Sequence, residues 1–412
     1  MADNLNVLER TTPYVFIPDL GVYAKRDSLE FLDYSNDLSI LLPVAGQISA
    51  TNASYIDFDL TNASAHRFDN LFLEVPVSNS HATDLIIPMP LSFMINRIEL
   101  LTNNSTVATM YSNDLFTQTL VSNTDTLINR GVSEGFSTSV GLSTYGTISA
   151  DVIGVPAGTT RKYSIPIHSF LTQCFGPILK QNNFKVRVYF NQGNALVASF
   201  AGAATIANVV FGTATLYVQG RVYGRKTLEK LMDEYRKAPH IARTIIRRQQ
   251  IINMGSVSAG VQYSQLLGSL TGSMSTLRVT LVDYNSASPA TAFAYKQLND
   301  LTLLDSAGKP WSFQSMPDAL LRQQVLCSKY DTVIDSHNFL YELPLGRDPL
   351  KTFQSNVSSG SLYMDGRWTL KFTPTANSAN VVSLYVNAHE YCAVRQNPNG
   401  SIEIVSFTNR DY

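Results

Sequence analysis

The stretch "RKYSIPI" (Arg161–Ile167) and the stretch "LYELPLG" (Leu340–Gly346) carry the same pattern: a Tyr, any residue, an aliphatic residue, a Pro and a second aliphatic residue. The two tyrosines lie 178 positions apart. In a strand, the Tyr and both aliphatic side chains would point to one face and the Pro to the other. Because proline has no backbone N–H, the pattern predicts an edge strand or the end of a strand.

Three further matches between the two halves occur in the same order along the chain. They are "NRIELL" (Asn96–Leu101) with "NDLTLL" (Asn299–Leu304), "FKVRV" (Phe184–Val188) with "WTLKF" (Trp368–Phe372), and "LYVQGRVY" (Leu216–Tyr223) with "LYVNAHEY" (Leu384–Tyr391). Any one match is explained by convergence, since short strands resemble one another easily. Four matches in order predict two copies of one domain, at about 45–223 and 256–405.

Most of the chain has the period-two alternation of half-buried strands. "SYIDFDL" (Ser54–Leu60) places Ile56, Phe58 and Leu60 on one face, and "FKVRVYF" (Phe184–Phe190) alternates in the same way. Turn signals such as Asn-Gln-Gly-Asn separate the strands. Many short strands with such turns indicate an all-β sandwich or barrel. The first half has the longer loops, above all a Gly-, Ser- and Thr-rich region within 120–160.

One segment near the middle has helical spacing instead. Leu228, Leu231, Met232 and Tyr235 recur at intervals of three and four, and Pro239 should end or kink this helix. We expect a further helical turn or two around Ile241, Ile245 and Ile246. The segment 224–255 is therefore interpreted as a helical connector between two β-rich halves.

The connector is also the most basic part of the chain. Between Arg221 and Arg248 there are nine Lys or Arg residues and three acidic residues, a local net charge of +6. One interpretation is a solvated helix face with i,i+4 ion pairs, such as Arg225 with Glu229. The other is a surface that contacts lipid or nucleic-acid phosphates. The candidate contact residues are Arg225, Lys226, Arg243, Arg247 and Arg248.

The remaining composition excludes several classes of protein. Only 15% of the 412 residues are charged, against about 25% in typical domains, which suits extensive burial against neighbours. Three cysteines and the lack of a secretory signal pattern predict a reducing compartment of synthesis. The six histidines lack metal-ligand spacing, and Gly131–Gly135 fits G-x-S-x-G without the required strand and helix. We expect no enzyme activity, and no catalytic, cofactor-binding or metal-binding residue.

Two tandem β-domains, a helical connector, long loops in the first copy and the repeated "NRIELL", "YSIPI" and "LYV" phrases resemble a viral capsid protein. The family is the double jelly-roll major capsid proteins of tailless icosahedral viruses, which includes membrane-containing phages. The resemblance implies two eight-stranded jelly rolls, at 45–223 and 256–412, joined by the connector at 224–255. It also implies a homotrimer of pseudo-sixfold outline in a virion shell, synthesised in the host cytoplasm.

The resemblance further assigns places in the shell to the other segments. The N-terminal arm and lead-in strand (1–44) and the basic connector would lie on the inner side, near a membrane or the packaged genome. The loops within 120–160 would form the outer tower. Partners would be further copies of the chain and other minor capsid or vertex proteins, with no small-molecule substrate.

Two alternatives of other classes stay open at this point. A two-domain jelly-roll enzyme, such as a glycan amidase, should show a signal peptide, paired cysteines or clustered histidines, and this chain shows none of these. A carbohydrate-binding or adhesin module should show exposed aromatic residues and Asp- or Asn-rich calcium loops. The sequence does not locate either feature.

Overall fold

The structure is a computed structural model of the 412-residue chain. It describes residues 14–17, 22–25, 34–112, 114–115, 133–135, 154–167, 179–180, 183–200, 202–237, 240–284, 294–311, 316–317, 341–345, 362–397 and 401–406. Most of the expected outer loop at 120–160 and most of the N-terminal arm therefore lie outside the described residues.

Almost all regular elements described in the first half of the chain are β-strands. They are β1 (Tyr14–Ile17), β2 (Val22–Lys25), β3 (Tyr34–Leu41), β4 (Ala45–Gly46), β5 (Ser54–Asp59), β6 (Arg67–Asn79), β7 (Ile86–Pro88), β8 (Ile95–Thr102), β9 (Ser105–Tyr111), β10 (Thr160–Pro166), β11 (Phe184–Phe190), β12 (Val197–Phe200), β13 (Val209–Phe211) and β14 (Thr215–Tyr223). A one-turn helix, α1 (Leu91–Met94), precedes β8. Short 3-10 turns lie at Leu60–Asn62, Gly193–Leu196 and Ile206–Asn208.

A 13-residue helix, α2 (Arg225–Lys237), connects this half to the second. The strands that follow are β15 (His240–Val257), β16 (Tyr263–Leu266), β17 (Thr271–Tyr284), β18 (Ala294–Lys296), β19 (Leu298–Leu304), β20 (Met316–Pro317), β21 (Tyr341–Pro344), β22 (Leu362–Asp365), β23 (Thr369–Pro374), β24 (Ser378–Gln396) and β25 (Ile402–Ser406).

The two halves have the same sheet topology. In the first half one sheet has the order β10-β6-β14-β3 and the facing sheet β5-β11-β8-β9. In the second half the corresponding orders are β21-β17-β24-β15 and β16-β23-β19-β20. Eight strands thus correspond one to one, in the same order along the chain. The predicted all-β fold of two tandem eight-stranded jelly rolls is confirmed, and we call the two halves the first and second sandwich.

The repeated phrases occupy equivalent strands, and most also keep their register. Ile98 pairs with Val188 in the first sandwich, and Leu301 pairs with Phe372 in the second. These are the pairs that alignment of the phrases predicts. Each sheet buries alternate residues of these strands, so a shift by one position would turn the apolar side chains to the wrong face.

The match "LYVQGRVY" with "LYVNAHEY" is the exception. Leu73 and Leu277 are counterparts, because each pairs with the first aliphatic residue of a proline phrase. Leu216 pairs with Leu73, but the residue that pairs with Leu277 is Ala388 rather than Leu384. The phrase therefore lies on the equivalent strand and is displaced by four residues. The β6–β14 and β17–β24 ladders each contain a register shift, at Gln219/Gly220 and at Met274/Thr276.

The two proline phrases form edge strands, as predicted. β10 pairs only with β6 and β21 only with β17 among the described strands, and each ends at its proline. The Tyr and aliphatic side chains of both phrases are buried in their sandwich cores, with at most 6% exposed: Tyr163, Ile165, Ile167, Tyr341, Leu343 and Leu345. The missing proline N–H costs nothing at a position where no further strand pairs.

The prediction that the second part of the connector is helical is wrong. The helix ends at Lys237, and residues 240–257 form one long strand that pairs with β24 from His240 opposite Gln396 to Val257 opposite Ser378. The expected helical turns around Ile241 and Ile246 do not form, because this ladder supplies their backbone hydrogen bonds. The domain limits at 45, 224 and 256 remain predictions. The strand β3 before the first limit and β15 before the last both belong to the sheets of the sandwiches.

Candidate assembly surfaces

An apolar row crosses the outer face of the first sandwich. Tyr217 on β14 pairs with Ile40 on β3 and with Phe72 on β6, and Phe72 pairs with Pro166 on β10. We call these four residues the first outer row. Ile40 is 61% and Phe72 38% exposed, while Tyr217 and Pro166 are half-buried. Four apolar side chains on adjacent strands form a contiguous patch, of the kind that marks an interaction site.

The patch continues along the edge strand β3. Leu38 is 60% exposed, and Leu42, just after the strand, is 62% exposed. Leu38, Ile40 and Leu42 alternate with more buried or polar residues, so all three point outward from the same edge of the sheet. An apolar edge strand invites pairing or coverage by another chain. This stripe is therefore a second mark of an interface.

The second sandwich has a corresponding row with different residues and a different environment. His389 on β24 pairs with Arg247 on β15 and with Thr276 on β17, and Thr276 pairs with Pro344 on β21. We call these four residues the second outer row. His389 is 8% exposed, Thr276 2%, and the Arg247 side chain 13%. The face that is open in the first sandwich is closed in the second.

The first sandwich closes this face. The Arg247 guanidinium lies 3.1 Å from a carboxylate oxygen of Asp114, which follows β9 of the first sandwich and is 2% exposed. Gln396 of β24 accepts a hydrogen bond from the backbone N–H of Leu179 and donates one to its carbonyl, at 3.3 and 3.1 Å. Buried apolar residues of the second sandwich join the core cluster of the first: Val282, Val394 and Ile402.

Buried polar pairs surround the second outer row. Arg278 donates to Glu342 over 2.9 Å, with both side chains at most 4% exposed. Gln249 donates to Asn387 over 2.6 Å. Burial, and then the neighbouring Arg278 and Arg247, hold the pKa of His389 well below its ordinary value of 6.5. The imidazole is therefore neutral at pH 7.

The five basic residues proposed as phosphate contacts have separate environments. Arg225 and Lys226 are exposed in the first turn of α2, and Arg225 makes the predicted i,i+4 pair with Glu229 at 2.8 Å. Arg243 lies within β15, opposite Ala393. Arg247 is buried against Asp114, and Arg248 donates over 2.7 Å to Glu390, which is fully buried.

Arg247 is therefore incorrectly assigned as a phosphate contact, because its side chain is 13% exposed and paired to Asp114. The Arg248 side chain is 44% exposed, and its assignment remains a prediction. Their carboxylate partners lie 133 and 142 positions away in the sequence. A count of charges along the connector does not include these partners, so the local net charge overstates the free positive charge. The carboxylates of Asp114 and Glu390, which folding brings close, pair with these two guanidinium groups.

No group of three or more His, Cys, Asp or Glu side chains in the described ranges is placed to hold a metal ion. Of the helices in the described part of the chain, none has both the length and the apolar character needed to cross a bilayer.

Comparison with solved structures identifies the fold. The PBCV-1 virus capsid is 12% identical with a TM-score of 0.67, covering 94% of this chain and 99% of that chain. The Faustovirus major capsid protein is 9% identical with a TM-score of 0.62, covering 98% and 94%. The atomic structure of Sulfolobus Turreted Icosahedral Virus is 11% identical with a TM-score of 0.52, covering 87% of this chain and 90% of that chain. No protein-family model and no curated protein matches the sequence. The chain thus has the double jelly-roll fold of these capsid proteins over nearly its whole length.

Proposed function

We propose that this chain is a structural major capsid protein, which assembles as homotrimers of pseudo-hexagonal outline into an icosahedral virion shell. The observation that carries the proposal is the tandem repeat of one sandwich, eight strands each in the same order, packed together in one chain. Capsid proteins share this arrangement over at least 87% of the chain in the comparisons above. At this level of identity the likeness supports the fold, and the function is inferred from it.

The repeat gives a physical reason for a trimer. Two similar sandwiches per chain and three chains per ring give six similar units, so a trimer presents a nearly hexagonal outline to its neighbours. A low fraction of charged residues favours the broad permanent contacts that such a shell needs. No specific observation favours a glycan amidase or a carbohydrate-binding module over this role.

The finer assignments are part of the same proposal. Arg225 and Lys226 are exposed cations in the first turn of α2, and with Arg243 and Arg248 they are the candidates for contact with a membrane or the packaged genome. The outer tower within 120–160, the inner arm within 1–44, the minor capsid or vertex partners and synthesis in the host cytoplasm remain predictions.

Light scattering coupled to size-exclusion chromatography tests the proposal. Three chains of 45.4 kDa predict a particle of about 136 kDa that persists from low to high salt. Electron microscopy of the same fraction should show a hexagonal outline. A monomer at micromolar concentration would contradict the proposed function.

A further inference from the structure

We propose that the contact between the two sandwiches of one chain is an acid-operated latch, which is closed at neutral pH and opens in mild acid while each sandwich stays folded. The group that operates it is His389 of β24, in the second outer row. The inference goes beyond the proposed function and does not depend on it, since it concerns a contact within a single chain.

Two rows of polar side chains cross the covered face of the second sandwich. One is the second outer row, and the other consists of residues that pair in turn across four strands: Gln249, Asn387, Arg278 and Glu342. Asn387, Arg278 and Glu342 are at most 3% exposed. Farther along β17 and β24, Val282 and Val394 join the core of the first sandwich. The contact thus combines apolar anchors with a buried polar centre.

The fold itself does not require charged groups in this polar centre. Pairing across the sheets aligns His389 with Tyr217 and Arg247 with Ile40, so the first sandwich builds the equivalent face from an aromatic and an aliphatic residue. Replacing buried ion pairs by well-packed apolar residues is often neutral or stabilising, whereas an uncompensated buried charge is strongly destabilising. A contact with a charged centre is therefore stable only while its charges balance.

The charges around His389 balance only while its imidazole is neutral. The cations beside it are Arg247 on β15 and Arg278 on β17. Each has one carboxylate partner. Asp114 of the first sandwich lies 3.1 Å from the Arg247 guanidinium, and Glu342 on β21 accepts a hydrogen bond from Arg278 over 2.9 Å. A protonated imidazole would add a third cation beside two arginines that already hold both carboxylates.

The other described neighbours of His389 offer no counter-charge. On its own strand, the side chains that point the same way are the amide of Asn387 and the phenol of Tyr391, and its partner on β17 is Thr276. Glu390 points to the opposite face of the sheet, where it binds Arg248 over 2.7 Å. In the described part of the chain, Nε2 of His389 has no hydrogen-bond partner.

Opening of the contact lets His389 take up a proton. In the closed state, burial and the two arginines hold its pKa well below 6.5. The first sandwich covers this row, so opening brings the imidazole into water, where its pKa returns to about 6.5. Protons then bind the open state in preference to the closed one, and the opening equilibrium constant should rise about 25-fold between pH 7 and pH 5. In a shell of such chains, mild acid would loosen each subunit from within.

Hydrogen exchange of the full chain, followed by mass spectrometry, tests the latch. The reporters are the Leu179 N–H, which is bonded to the Gln396 side chain, and strand β25, whose Ile402 packs into the first sandwich. In the wild type their protection, corrected for intrinsic exchange, should fall about 25-fold from pH 7 to pH 5. In His389→Gln the protection should change little, because glutamine does not titrate. The control His81→Gln, in the turn after β6, should behave as the wild type.

The wild type alone gives a second test, which does not rely on a variant that folds well. The logarithm of the reporters' protection should be constant above about pH 6.5 and should fall with a slope of one proton below it. Constant protection throughout would overturn the inference, as would an equal loss in wild type and His389→Gln. The interior strands β11 and β23 should keep their protection at pH 5. Simultaneous loss in these strands and in the reporters would mean global unfolding and would also overturn it.

Discussion

Ile40 and Arg247 occupy the same position in the two sandwiches, but Ile40 is 61% exposed, whereas the Arg247 side chain is 13% exposed and ion-paired to Asp114. The two copies of one fold have thus taken on different roles at equivalent faces. The second sandwich carries a polar face that matches a carboxylate of its own chain. The first carries an apolar face with no such match in the described part of the chain.

The ion pair between the sandwiches should be important for stability. Arg247→Met leaves Asp114 buried without its cation, and such a loss costs about 3–5 kcal/mol. We expect the thermal unfolding midpoint, measured by calorimetry, to fall by several degrees. The double variant Arg247→Met with Asp114→Leu should recover most of the loss, because neither charge of this ion pair is then left behind. Arg225→Met is the control, since its pair with Glu229 is exposed and should contribute little. Equal effects of Arg247→Met and Arg225→Met would contradict this prediction.

Stability should decrease in mild acid because of His389. Its folded pKa lies well below 6.5, whereas in the unfolded chain it returns to about 6.5. As the pH falls below about 6.5, the His389 imidazole becomes protonated in the unfolded chain but stays neutral in the folded chain. The free energy of unfolding therefore falls. Unfolding midpoints at pH 7.5 and pH 5 should therefore differ less for His389→Gln than for the wild type. An identical difference in the two proteins would show that His389 does not contribute.

The tyrosine of the second proline phrase should stabilise the core through its hydroxyl. The Tyr341 hydroxyl accepts a hydrogen bond from the Leu298 N–H at 2.7 Å in a fully buried site. Tyr341→Phe leaves this donor unsatisfied, at a cost of about 1–3 kcal/mol. Chemical denaturation should show the loss, and Tyr55→Phe, at a 41% exposed position, should show almost none. A Tyr341→Phe protein as stable as the wild type would refute this role.

The exposed cations of α2 should bind anionic surfaces weakly and in a salt-sensitive way. The double variant Arg225→Ala with Lys226→Ala should reduce co-sedimentation with anionic liposomes, or retention on DNA, at low salt. The control Lys309→Ala with Arg367→Ala removes two exposed cations from the second sandwich and should have no such effect. Unchanged binding in the first variant would argue against an inner-surface role for α2.

Much of the architecture could be predicted from short segments. Alternation in "SYIDFDL" correctly placed Ile56, Phe58 and Leu60 in the core, because a strand's two faces follow directly from its period of two. The prolines correctly marked the ends of β10 and β21, because a missing N–H is tolerated there. Both are local properties of the chain.

The strand β15 could not be predicted in this way. Its sequence around Ile245, Ile246, Arg247 and Arg248 alternates neither with a period of two nor with a helical period. Both of its faces contact partners, with Ile246 buried and Arg247 paired to Asp114, so polar and apolar residues occur on each. The ladder with β24 decides its conformation, and propensity is overridden by this long-range pairing.

The sequence by itself determined that the chain contains two copies of one β-sandwich, because the repeated phrases encode strand faces and strand ends locally. Only the tertiary structure decided which of the two equivalent outer faces is covered. Burial of a face depends on where the neighbouring sandwich packs, and that follows from contacts such as Arg247 with Asp114, which join residues 133 positions apart. The face around Ile40 and Phe72 stays exposed within the chain because the neighbouring sandwich packs against the other face.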